Sequence, residues 1–252
     1  MKRLSLLMCA TLLVWAAGSF SGCKKSTPGL FAYVSLDEEI AQDLMSTYEK
    51  ETGVKVQFVR LSTGEASARL EAEKNNPQAS IWVGGVGLVH AEAKEKGLTT
   101  PYNSPQTQKV PAAFRDKDGY WNGLYLGLLA FAANTEQLKT RGLTAPEQWS
   151  DLLDPKWKGL IQIPNPGTSG TSYNLITTLI AKTDEAKAFD YLKKLHNNVS
   201  QYTRSGMAPG KNVALGESVI AVGYAQDILN LIYDSKAPVQ LICPKDRKPR
   251  SF

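Results

Sequence analysis

Residues 30–85 read LFAYVSLDEEIAQDLMSTYEKETGVKVQFVRLSTGEASARLEAEKNNPQASIWVGG, and this stretch decides the fold. Leu30 to Ser35 is a short apolar run with the character of a strand. Asp37 to Glu51 carries Ile40, Leu44 and Tyr48 at intervals of four, which predicts a helix with those three on one apolar face. Thr52-Gly53 stops it, because glycine readily takes the left-handed cap conformation. Val54 to Leu61 alternates apolar and polar residues, as a strand does. Ser62-Thr63-Gly64-Glu65 opens a second helix, to about Lys74, with a capping hydroxyl and an early acid. Ser80 to Val83 is a short buried strand that ends at Gly84-Gly85. The order βαβαβ implies a parallel sheet with helices on both faces.

A second α/β set follows. Tyr120 to Ala133 is long and apolar and suits a strand passing between two lobes, and Leu160 to Ile163 reads as another strand. Short helices and turns are expected over Asn134 to Leu143, Pro146 to Leu152 and Asp154 to Gly159. Ser172 to Lys182 is an apolar helix, and Asp184 to His196 is amphipathic with Ala188, Tyr191, Leu192 and Leu195 on its buried stripe. Tyr202 to Gly210 is a Gly- and Pro-punctuated loop. Val219 to Gly223 is a strand with a helix from about Ala225. The expected division is a leader (1–22), a tether (23–29), a first lobe (30–125), a second lobe (126–236) and a return segment with a basic tail (237–252).

Charge narrows the function. Of the net +5, Lys2 and Arg3 supply +2, and Lys245, Arg247, Lys248 and Arg250 against Asp246 supply +3. The body is neutral, so it lacks the clustered cations that hold a nucleic-acid backbone. The N-terminus pairs that positive start with an apolar run from Leu4 to Ala17, too short to span a bilayer comfortably but suited to a secretory signal. It ends Phe20-Ser21-Gly22-Cys23, which resembles a bacterial lipobox whose Cys23 is acylated; the alternative is an uncleaved anchor. An exported protein, periplasmic or at the cell surface, is expected, touching membrane only through its lipid. Cys9 would leave with the leader, so Cys243 alone remains and no internal disulfide is expected. His90 and His196 form no zinc pattern.

The loop Asn165 to Tyr173, NPGTSGTSY, joins a strand to a helix and is rich in Gly, Ser and Thr. Unpaired backbone N–H groups at a helix start attract anions, and Ser169, Gly170 and Thr171 could add to them. The same loop serves equally as a capping turn, and it lacks nucleotide P-loop spacing. Ser62-Thr63 and Gly85 repeat the device at two further strand ends. In open parallel sheets, ligands lie beyond such ends. Ser205 sits in the later loop. Tyr224, Gln226 and Asp227 follow a strand, although Tyr224 could be an interface aromatic and Asp227 a cap. No nucleophile elbow or Cys–His pair is present, so binding is expected rather than catalysis, with no cofactor.

These residues resemble a known family. YEKETGVKVQFVRLSTGE (48–65), ARLEAEKNNPQASIWVGG (68–85), DKDGYWNGLYLGLLAFAANTEQL (116–138), WSDLLDPKWKGLIQIPNPGTSGTSY (149–173) and AFDYLKKLHNNVSQYTRSGMAPG (188–210) are similar to extracellular solute-binding proteins of ABC importers. The likeness runs from Leu30 to Pro244, in the ferric-iron-binding-like branch that also holds thiamine, phosphonate and sugar-phosphate binders. It implies an α/β fold of the type II periplasmic-binding-protein class: two lobes, each a mostly parallel sheet flanked by helices, closing over a ligand. It also implies a permease partner, a small-molecule or ferric ligand, and a monomer. The family's ferric site uses an early His, a Glu and two adjacent tyrosines. Here Ser35-Leu36-Asp37 stands for the first, Gly84-Gly85 for the second and only Tyr224 for the third, so Asp37, Tyr224 and Asp227 are the metal ligands if iron is bound. A phosphate or phosphonate suits the hydroxyl-rich loops better. The other classes carried are an exported phosphate-ester hydrolase and a non-transport lipoprotein. Family members continue further, so a truncated product with an incomplete return to the first lobe is expected.

Overall fold

The computed structural model describes residues 29–245, so the expected leader, Cys23 with nearly all of the tether, and the end of the basic tail lie outside the described residues. Strands β1 (Leu30–Ser35), β2 (Val56–Arg60) and β3 (Ile81–Gly84) pair in parallel in the order β2-β1-β3. Helices α1 (Glu38–Thr52) and α2 (Thr63–Ala72) make the crossovers, and α3 (Gly87–Glu95) follows β3. The helix boundaries have local causes. Asp37 caps α1 by accepting from the Glu39 N–H, and Gly53, at φ 73°, returns its N–H to Glu49.

The apolar stripe of α1 does not face the sheet. Ile40, Leu44 and Tyr48 are 49%, 40% and 40% exposed, whereas Ala41 and Met45 are buried on Ala32 and Val34 of β1. Two adjacent rows of one helix have the same period, so periodicity alone does not choose between them. On the opposite face of β1, the buried Tyr33 donates to Glu73 at 2.6 Å, and Arg69 covers its ring while pairing with Glu73 at 2.9 Å.

The second sheet is mixed, in the order β6-β5-β7-β4-β8. Its strands are β4 (Leu129–Asn134), β5 (Ile161–Pro164), β6 (Val199–Thr203), β7 (Ile220–Tyr224) and β8 (Val239–Ile242). β5 runs parallel to β6 and β7, while β4 is antiparallel to β7 and β8. Helices α4 (Thr135–Arg141), α5 (Gly170–Lys182), α6 (Glu185–His196), α7 (Ala208–Ala214) and α8 (Ala225–Tyr233) cover it. Every residue of β4 is buried, and the two-residue period splits them. Leu129, Phe131 and Ala133 enter one core with Trp149, Trp157, Leu175 and Leu195, while Ala130 and Ala132 enter another with Val213 and Ile228. A strand buried on both faces reads as a continuous apolar run, which is why this segment looked uniformly hydrophobic.

Several segments differ from expectation. The 120–133 run is a strand only from Leu129 onward, where β4 begins, and the residues before it cross between the sheets with one bridge, Arg115 to Asn122. Tyr202 and Thr203 end β6 and Ala208 starts α7, so the expected 202–210 loop shrinks to 204–207. Neither α3 nor β6 was anticipated. Val239–Ile242, expected to begin a return to the first lobe, pairs with β4 at the edge of the second sheet. No helix among the described residues is long and apolar enough to cross a membrane.

Phe131, fully buried and edge-on to Trp149 at 4.8 Å, is the test of this core. Phe131→Ala should cost about 3–5 kcal/mol in urea denaturation. Leu44→Ser, on the open stripe of α1, should stay within about 0.5 kcal/mol.

Candidate functional site

The carboxyl ends of β1, β2 and β3 meet those of β5, β6 and β7, and a helix begins at most of these ends. Ser62 sits at the start of α2, where its N–H and hydroxyl both donate to Glu65, at 2.9 and 2.8 Å. Ser169 sits at the start of α5, accepting from the Thr171 N–H at 3.3 Å, and the buried Ser172 hydroxyl donates back to Pro164 at 2.5 Å. The first N–H groups of each helix have no partner within it.

The two lobes touch at these starts. Gly64 N–H donates to Thr168 O at 3.1 Å, and a side chain at Gly64 would run into the Gly167 carbonyl. A Cβ on Gly170 would lie 2.5 Å from both Thr63 Oγ1 and Val86 Cγ2. Glycine is required here by close approach. Arg204 of the second lobe ion-pairs with Glu65 of the first. Burial pushes Glu65 upward, but the Ser62 donors and Arg204 outweigh it and hold the carboxyl below its usual range. Tyr173 on α5 donates to Glu92 on α3 at 2.5 Å.

Within this contact lies a set of small polar groups. Thr63 and Thr171 are each 6% exposed, and Ser169 is 3% exposed. Gly85, at φ 88°, brings its backbone close to Thr63, with a virtual Cβ 3.2 Å from Oγ1. No hydrogen bond to the Thr63 hydroxyl is found among the described residues. Asn174 donates to the Tyr224 hydroxyl at 3.3 Å, and the Thr171 hydroxyl also reaches it. Burial pushes Tyr224 up to about 12 against these two donors, so it stays protonated at neutral pH. The Tyr125 ring is exposed, yet its hydroxyl end is buried against the Gly85 N–H. That burial, with the charge of Asp227, raises it.

Asp227, in the first turn of α8, is pushed up to about 6, chiefly by burial and then by Asp37, with Lys211 opposing. Lys211 on α7 lies 3.6 Å from Asp37 of the first lobe.

Of the residues singled out in the sequence, Thr63, Gly85, Ser169, Gly170, Thr171, Tyr224 and Asp227 are linked by these contacts, and Ser62 holds the start of α2. Three stand apart. The Ser35 hydroxyl accepts from Trp82 Nε1 at 2.9 Å, behind the Gly84 turn where Trp82 stacks on His90. Ser205 shapes a turn, its hydroxyl accepting from Met207 N–H and its carbonyl from Thr203. The Gln226 side chain makes no hydrogen bond among the described residues. Sequence reasoning missed Tyr125, hidden in a run read as strand, and Lys211, one residue past the stretch read as a loop and on the unanticipated part of α7. Of Asp37, Tyr224 and Asp227, the set named for iron, Asp37 pairs with the Lys211 ammonium at 3.6 Å, and the same charge acts on Asp227. Among the described residues no group of three or more His, Cys, Asp or Glu could hold a metal ion. A separate apolar cavity of about 530 Å³, lined by Leu175, Ile176, Phe189 and Leu192 among others, is walled by the second lobe alone.

Residues 87–246 match the family model described as bacterial extracellular solute-binding protein. A Haemophilus influenzae protein is 38% identical over 243 residues, 94% of this chain and 70% of that one. A Salmonella typhimurium protein named as a putative 2-aminoethylphosphonate-binding periplasmic protein is 30% identical over 246 residues, 95% of this chain and 69% of that one. Among solved structures, the periplasmic binding protein AfuA from Actinobacillus pleuropneumoniae, with fructose-6-phosphate bound, superposes with a TM-score of 0.84 at 40% identity, covering 87% of this chain and 70% of its own.

The raised Asp227 gives a signed pH dependence. The folded state binds its proton more tightly than the unfolded chain, so this group's contribution to stability is full below about pH 4 and is lost as pH rises towards 6. Asp227→Asn should therefore be more stable than the parent at pH 7 and lose that advantage by pH 4, as read from paired urea titrations.

Proposed function

Since the chain belongs to the bacterial extracellular solute-binding proteins and has their type II two-lobed α/β fold, we propose that it receives a small phosphate- or phosphonate-bearing solute between its lobes and hands it to an ABC permease. The lobes of this reading are residues 30–125 and 126–236, with β8 added to the second. The observation that carries it is the Thr63 hydroxyl, which makes no hydrogen bond among the described residues and sits where the helix starts of the two lobes touch. The N–H groups of such starts carry partial positive charge without a counter-ion, and a phosphoryl group offers several acceptor oxygens to them. The printed ligands of two relatives, 2-aminoethylphosphonate and fructose-6-phosphate, both carry a group of that kind.

Ferric iron fits the same residues less well. A hard cation wants deprotonated oxygens, whereas Tyr224 is held protonated and an ammonium lies at Asp37. In this reading the chain does no chemistry on its cargo, acts as a monomer, and is exported and tethered through a lipid on Cys23.

A thermal-shift series on the mature protein tests it, with inorganic phosphate, fructose-6-phosphate, 2-aminoethylphosphonate, thiamine and Fe(III)–citrate. A phosphorylated or phosphonate ligand at 100 times its Kd should stabilise by about 2.7 kcal/mol. Thr63→Val should weaken that ligand by about tenfold, because it removes one donor to a charged acceptor, and leave the ligand-free melting temperature nearly unchanged. A response to ferric citrate alone contradicts the reading, and turnover of the phosphate ester would point to a hydrolase instead.

A further inference from the structure

Gly84 and Gly85 close β3 at φ 81° and 88°, in the left-handed region that glycine enters without steric cost. Nothing in these two residues themselves fixes the peptide unit between them. The fixing comes from α3. His90 Nε2 lies 2.7 Å from the Gly84 carbonyl oxygen. A carbonyl only accepts, so Nε2 carries the proton and donates. The ring is held in turn: it stacks on Trp82 with centroids 3.9 Å apart, and Trp82 Nε1 donates to the Ser35 hydroxyl of β1 at 2.9 Å. Burial lowers the His90 pKa, so the imidazole is neutral at pH 7 and keeps a single tautomer.

The Gly84 C=O and the Gly85 N–H belong to one trans peptide unit and point in opposite directions. Holding the oxygen toward His90 therefore turns the Gly85 N–H the other way, to the side where the Tyr125 hydroxyl meets it. Gly85 is also where first-lobe backbone approaches Thr63 at the lobe contact, its virtual Cβ 3.2 Å from Oγ1. A half-turn of this peptide would put a carbonyl oxygen in place of the N–H and so repel an anion there.

Resting on the anion-capture reading, we propose that His90 is a positioning residue of the site. Its Nε2–H bond to the Gly84 carbonyl fixes the Gly84–Gly85 peptide with the Gly85 N–H toward the lobe contact, where it donates to a phosphoryl or phosphonyl oxygen. His90 itself does not touch the solute. Ser35 and Trp82, behind the turn, hold the imidazole in place. Part of the first lobe's share in anion capture is thus set by a side chain on the far side of the turn.

The test pairs two replacements in the mature protein, each read by calorimetric titration with fructose-6-phosphate and 2-aminoethylphosphonate. His90→Phe keeps a ring on Trp82 and loses the donor; His90→Gln loses the ring and carries an amide N–H at the reach of Nε2. His90→Phe should weaken whichever ligand binds by about tenfold, the scale of one hydrogen bond to a charged group, while His90→Gln stays within about threefold of the parent. Equal or reversed losses in the two variants, as ring packing alone would give, overturn the proposal. In 15N-labelled protein the Gly85 amide should shift on ligand addition in the parent and in His90→Gln, and not in His90→Phe. If His90→Phe does not fold, His90→Asn takes its place, since its shorter amide stops near the Nδ1 position. A proton on Nδ1 rather than Nε2 in the parent's ring 15N spectrum at pH 7 also overturns the proposal. Binding that the donor-free variant leaves unchanged removes the positioning role and leaves anion capture standing. Failure of both ligands to bind the parent overturns anion capture and this proposal with it.

Discussion

The structure depends on one constraint of backbone chemistry. A helix that starts directly after a strand leaves its first N–H groups without internal partners, and something must satisfy them. In this chain α2 and α5 start that way in different lobes, at Ser62 and Ser169, and the two starts are pressed against each other. Part of the demand is met within the protein: Glu65 takes the Ser62 donors, and Thr168 takes the Gly64 N–H across the gap. What is left over, with the Thr63 hydroxyl, lies at the contact between the lobes.

The contacts joining the lobes are individually weak. The Arg204 side chain is 81% exposed, so its pairing with Glu65 contributes at most about 1 kcal/mol and less at high salt. Lys211 and Asp37 are similarly open on the lysine side. A ligand that bridged the lobes would therefore add to joins that are weak by themselves, and only by its differential affinity for the joined arrangement. Short contacts at Gly64 and Gly170 set how near the lobes come, since any side chain there would meet backbone or a buried threonine.

Much of the fold was legible in the sequence because its signals are local. The βαβαβ order, the Gly53 stop, the Ser62 capping group and the Gly84-Gly85 turn each rest on a few adjacent residues, and all are present. Orientation was not legible. The α1 stripe of Ile40, Leu44 and Tyr48 has the right period and the wrong face, because what lies beneath a helix is a tertiary matter. The strand-end residues of the site could be found from loop chemistry. Tyr125 and Lys211 could not, since one lies in an apolar crossing segment and the other on an unrecognised short helix, and each gains its partners from elements distant in sequence. Asp227 was visible as an acid in a first helical turn, but the burial that raises its pKa appears only in three dimensions.

Backbone amide shifts during a titration report most directly on the claim that both lobes present helix-start N–H groups to one anion. In 15N-labelled mature protein, the account predicts that the amides of Thr63, Gly64 and Gly85 and those of Gly170 and Thr171 move together on adding fructose-6-phosphate or 2-aminoethylphosphonate, with one common Kd. Shifts confined to a single lobe, or two lobes responding with different affinities, would contradict it.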